Sequence, residues 1–178
     1  MDRKMKRKER ENLLKEKKSA LVTEAKENPD FHAGKKRVLY VMLVILGFRF
    51  FHIILQLVYM SANRIPLDSH IVTFIIMILS LLFFIFMIYG HGIKGATYLA
   101  ILGGVYSIFL ALRDQVWLVF DTFDPFFNFI NLIFHITIFI QIVGMIFLIF
   151  DKLSNVYFKA MAHVQNELNV LAKSHNSK

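Results

Sequence analysis

Four polar side chains interrupt the first long apolar stretch of this chain: Arg49, His52, Gln56 and Tyr59, at i, i+3, i+7 and i+10. On a helix that spacing keeps them on one face, and the opposite side is Leu, Ile, Val and Phe. The last apolar stretch repeats the pattern with Asn128, Asn131 and His135 at i, i+3 and i+7. Arg113, Asp114 and Gln115 stand near the end of the third stretch. His70 and Thr73 open the second, followed on the same side by Met77 and Ser80. A guanidinium, imidazoles, amides and a carboxylate on facing helices suit either a polar or anionic ligand or a structural ion pair. Arg49 carries the most weight, because a cation near mid-membrane costs ~2.5–3.5 kcal/mol even on the mildest scale and needs a partner or a water-filled cleft.

Other chemistry is less well supported by the residues. His52 or His135 as a base, with Asp114 or Asp121 as its orienter, would suit an intramembrane enzyme, but no motif fixes them together. The chain has no P-loop, dinucleotide fingerprint, HExxH or GxSxG motif. No two of His52, His70 and His135 share a short ligand spacing, so neither a metal nor a cofactor is expected. With no cysteine, disulfides and thiolate chemistry are excluded.

The elements that must position these groups are four apolar runs of about 38–60, 71–89, 96–118 and 126–150. Each approaches the ~20 residues that a helix needs to cross ~30 Å of hydrocarbon. At 56% hydrophobic, with 19 Phe, the chain is too apolar for a soluble domain of its length. The expected fold is an all-α integral membrane protein, a four-transmembrane-helix bundle between two tails. A rise of 1.5 Å per residue puts Arg49 roughly 16 Å and His52 roughly 21 Å from one boundary, with Arg113 and Asp114 at roughly 26 Å. Counted inward from the outer end, His135 matches the depth of Arg49, and Asn131 that of His52, to within roughly a turn. Polar groups from different helices thus gather in the outer half, facing an almost wholly apolar inner half.

Charge sets the orientation. Of the 21 Lys and Arg, 13 fall in residues 1–37, and the C-terminal tail adds Lys152, Lys159, Lys173 and Lys178. The third link carries Asp121 and Asp124 with no basic residue. Positive charge is retained in the cytoplasm, so both tails are expected there, in a multi-pass plasma-membrane protein. Scarce Pro and abundant Phe, Ile and Lys suggest a bacterial source. Residues 1–37 read as a basic cytoplasmic helix broken at Asn28-Pro29 and suited to anionic headgroups; they lack the apolar core of a cleavable signal. Nucleic acid is not an expected partner, since no aromatic side chains for stacking bases stand among the basic residues.

Residues 151–178 read as a cytoplasmic helix continuing from the fourth span. Leu153, Tyr157, Ala160, Val164, Leu168 and Leu171 make one apolar face, for a protein partner, the N-terminal helix or a second copy. Gly103, Ser107 and Ala111, with Gly104 alongside, form a small-residue ridge expected to pack within the bundle or, alternatively, in a dimer interface, and Gly144 is a weaker version of it.

The residues thus point to a noncatalytic membrane component with a pocket of Arg49, His52, Gln56, Arg113, Asp114, Asn131 and His135, acting as an accessory or ligand-binding part of a membrane complex. The alternatives are a transporter or channel subunit working as an oligomer, and the His/Asp enzyme. Bland roles compete for several of these residues. Arg113 and Asp114 lie close enough to the outer boundary to snorkel, and Asn128 and Asn131 suit helix-start or interhelix hydrogen bonds.

Overall fold

A computed structural model of the protein describes residues 2–65, 68–113 and 124–174, with side chains for 12–65, 75–109 and 124–173. Among these residues the chain is all-helical, with six α-helices and no strand: α1 (Asp2–Lys26), α2 (Pro29–Ala62), α3 (Asp68–Ile85), α4 (Lys94–Arg113), α5 (Pro125–Phe150) and α6 (Lys152–Ser174). Each of the four apolar runs falls on a helix, though residues 114–118 of the third lie outside the described residues. Two helices, α2 and α5, are long and apolar enough to cross a membrane. The chain divides into two compact units, residues 1–37 with 151–178, and residues 38–150.

The helix boundaries follow from local chemistry. Pro29 takes the first position of α2, where its missing N–H costs nothing, and Asn28 Oδ1 accepts the Asp30 N–H at 2.9 Å. Asp124 and Pro125 repeat the device on α5, where Asp124 Oδ1 accepts the N–H groups of Phe126 at 3.0 Å and Phe127 at 3.1 Å. Those bonds, the Phe127 N–H foremost, hold the Asp124 carboxyl below the ordinary carboxylate range. The Tyr59 ring lies 6.0 Å from that of Phe126 and 5.5 Å from that of Phe127, and ties the end of α2 to the start of α5.

At its far end α2 closes in a Schellman turn, with Ile65 N–H to Met60 O at 2.9 Å and Arg64 N–H to Ser61 O at 3.3 Å. Arg64 takes the left-handed position at φ 54°, where glycine is usual. After α3 the chain makes one π-helical turn, Phe86–Gly90, and reverses through Gly92 at φ 63°.

In the unit of residues 1–37 and 151–178, α1 packs against α6. Leu14, Leu21, Val22 and Ala25 of α1 are half-buried, while Tyr157, Phe158 and Val164 of α6 are fully buried with Phe31. The apolar face expected on α6 is therefore used within the chain. Gly34 lets the first turns of α2 meet the start of α6, because a side chain there would run into the Leu153 carbonyl. The expectation that α6 simply continues from the last apolar run needs correction: Asp151 breaks the helix and caps a new one. Its carboxylate accepts the Ser154 N–H and hydroxyl, both at 2.8 Å, and pairs with Arg37.

In the unit of residues 38–150, Val38, Met42 and Ile45 of α2 are buried with Met145 and Leu148 of α5. Gly144 permits this approach, since a methyl there would lie 3.0 Å from Val41 Cγ1 and 3.3 Å from Ile45 Cδ1. The close approach of α4 to α5 is made at Gly104, where a methyl would lie 2.9 Å from Ile142 Cγ1. Gly103 has open space beside it. The small-residue ridge expected at Gly103 and Ser107 is thus displaced by one residue, which turns Gly103 about 100° away from the contact. Large apolar side chains point outward on all four helices, among them Ile54, Ile76, Leu102 and Phe139.

Asp151 yields a pH prediction. Burial opposes its ionisation, but the Ser154 N–H and hydroxyl and the Arg37 guanidinium outweigh it, so its carboxyl titrates below the ordinary range. A carboxyl depressed in the fold stabilises fully above its unfolded pKa of ~3.9, and that contribution is lost as pH falls through the lower folded value. Asp151→Ala should cost about 1 kcal/mol at neutral pH, read by thermal unfolding of the full chain, and should shrink the acid-dependent loss. An unchanged neutral-pH stability would contradict the capping role.

Candidate functional site

The stripe of α2 opens onto a cavity of about 740 Å³ enclosed by α2, α3, α4 and α5. Its wall on α2 runs from Ile45 to Met60, about 22 Å of helix. Arg49, His52, Gln56 and Tyr59 all border it, as 3.6-residue periodicity requires of positions i, i+3, i+7 and i+10. Asn131 and Gln141 face it from α5, and Gly103 and Ser107 from α4. The α3 wall is apolar apart from Ser80, whose hydroxyl donates back to the Met77 carbonyl at 2.9 Å. Ser107 likewise bonds within its own helix, to Gly103 O at 2.9 Å.

Arg49 is held by a residue that the spacing did not single out. Its Nη2 donates to Gln141 Oε1 at 2.8 Å, and Gln141 Nε2 donates to the Ala100 carbonyl at 2.9 Å. One amide therefore links α2, α5 and α4 and holds one edge of the guanidinium. Among the described residues no carboxylate pairs with Arg49. Asp114, the partner expected for it, lies outside the described residues, and so does the Arg113 side chain.

His52 is 1% exposed, and neither of its ring nitrogens has a hydrogen-bond partner among the described residues. Its ring lies 5.2 Å from that of Phe134, tilted by 41°. Asn131 Nδ2 is buried and likewise unsatisfied. Each such group costs about 1–3 kcal/mol.

His135 sits apart from this arrangement. Its Nδ1 lies 2.6 Å from the Asn131 carbonyl one turn back on its own helix, its ring meets Phe134 edge-on, and it does not border the cavity. The residue of α5 that meets Arg49 is Gln141, six positions along the helix from His135. Of the seven residues expected to share a pocket, Arg49, His52, Gln56 and Asn131 border one cavity. Among the described residues no group of three His, Asp or Glu side chains is placed to hold a metal ion.

No protein-family model, curated protein or solved structure matches the chain.

The Arg49–Gln141–Ala100 relay carries a prediction of its own. Gln141→Leu strips Arg49 of its described hydrogen-bond partner and should destabilise the protein by about 1–2 kcal/mol, seen as a lower Tm in mild detergent. A Tm equal to that of the native chain would mean that the relay holds nothing together.

Proposed function

We propose that this is a noncatalytic multi-pass membrane protein whose intramembrane cavity binds a ligand, serving as the ligand-binding or accessory component of a membrane complex. The observation that carries the reading is the pairing of a guanidinium without a described carboxylate and an enclosed, unsatisfied histidine on the wall of one 740 Å³ cavity. That volume is within the ~300–1,000 Å³ of sites that enclose small ligands. Polar groups at this depth are expensive, and a bound molecule offsets their cost.

On the same reading the chain is a four-span bundle. Outward-facing Leu, Ile and Phe on α2 through α5 suit lipid contact, and the basic tails favour a cytoplasmic position for both termini, in a bacterial plasma membrane on this reading. The α1 tail would rest on anionic headgroups there, and a protein partner or second copy would meet the α1–α6 unit. Binding is favoured over conduction because the cavity ends at Ile45 and Met145. Beyond them Val38, Met42 and Leu148 are at most 1% exposed and leave no polar path.

Two measurements test this. Single cysteines at Ser19, Thr122 and Ser174 should react with an impermeant thiol reagent on intact cells only at Thr122; labelling at Ser19 or Ser174 would overturn the topology. Native mass spectrometry of protein released from membranes should show a bound small molecule, lost in Gly103→Leu, whose new side chain fills open cavity space. Equal bound mass in both proteins would overturn the pocket.

A further inference from the structure

The two long sides of the cavity differ in chemistry. One carries Arg49, His52, Gln56, Asn131 and Gln141 from α2 and α5. The other is the α3 wall of Met77, Ile78, Leu81 and Phe84. A wholly polar ligand would leave the α3 wall wetted, and a wholly apolar one would leave Arg49 unsatisfied. Only an amphiphile satisfies both sides.

Charge narrows the head. Arg49 brings a positive charge to the wall and spends one N–H on Gln141, so its remaining N–H groups suit an anionic head. The guanidinium is held from one edge by Gln141, which is itself anchored on Ala100 O. A planar fork of that kind selects an oxyanion with two oxygens on one centre, a carboxylate or a phosphate, over a point acceptor. Gln56 and Asn131 stand on the same wall as further polar groups. Arg49 is one turn above the closed end at Ile45, so the head sits deep and the chain runs toward Met60 along the apolar wall, over much of the 22 Å or so available. The volume suits one chain rather than two.

We propose that the cavity holds a single-chain amphiphile with an anionic carboxylate or phosphate head on Arg49 and Gln141, and its chain against α3. This rests on the reading of the cavity as a ligand site, and the test separates the two claims. The native protein in neutral phosphatidylcholine nanodiscs is titrated with palmitate, cetyl phosphate, cetyl alcohol and acetate, and binding is followed by thermal shift and calorimetry. Palmitate or cetyl phosphate should bind saturably, and the tighter of the two identifies the head as a carboxylate or a phosphate. Cetyl alcohol, without the charge, and acetate, without the chain, should each bind about tenfold more weakly or worse.

Arg49→Gln should reduce palmitate and cetyl phosphate binding about tenfold or more while leaving cetyl alcohol unchanged. Arg49→Lys, which keeps the charge but loses the fork, should fall between. Gly103→Leu should weaken every chain-bearing probe. Cetyl alcohol binding as tightly as both anions, in the native protein and with no variant needed, would overturn the anionic head while leaving the pocket standing. No binding of any probe, with Gly103→Leu indistinguishable from the native chain, would overturn the pocket reading as well.

Discussion

A guanidinium on an apolar helix is the constraint around which the unit of residues 38–150 is arranged. Arg49 cannot face hydrocarbon without a cost of several kcal/mol, and on α2 it cannot reach either end of the helix. Its face must therefore turn inward. The 3.6-residue repeat turns His52, Gln56 and Tyr59 inward with it. Gln141 answers from α5, and its amide reaches on to the backbone of α4, so three helices are registered through one polar contact. The remaining volume beside that contact is the cavity.

The rest of the fold keeps that contact in place. Gly144 and Gly104 bring α2 and α4 close to α5 below the cavity and beside it, where a methyl group would already be crowded. Tyr59, against Phe126 and Phe127, ties α2 to α5 at the other end. The cavity is thus braced at both ends, and α3 lines one side of it. No described residue of α3 up to Ile85 is fully buried, so this helix is the least tightly held wall. In the other unit a charged node does similar work, with Asp151 capping α6 and pairing with Arg37.

Much of this was legible because it follows from periodicity. Apolar runs became helices, Pro29 and Pro125 marked helix starts, and the i, i+3, i+7 stripe of α2 lines one cavity. What was missed depended on rotation and register between helices, which a single sequence does not encode. Gly103 and Gly104 are neighbours, yet only one faces α5, and nothing in their identity says which. Gln141 is a neutral amide among Ile and Phe and carries a weak signal, and it meets Arg49 through the reach of both side chains. Arg64 in a left-handed position gave no signal, since the residue expected there is glycine.

The central claim is that Arg49 charges a cavity shared by α2 and α4 rather than facing lipid. The natural lack of cysteine makes this measurable with one introduced thiol at a time. In membranes, a cysteine at Ser107, on the cavity wall, should react with methanethiosulfonate reagents far faster than one at Phe109, which faces outward. At Ser107 the anionic sulfonate reagent should outpace the cationic ammonium reagent, and Arg49→Gln should erase that preference. Equal rates at the two positions, or a charge preference indifferent to Arg49, would contradict the account.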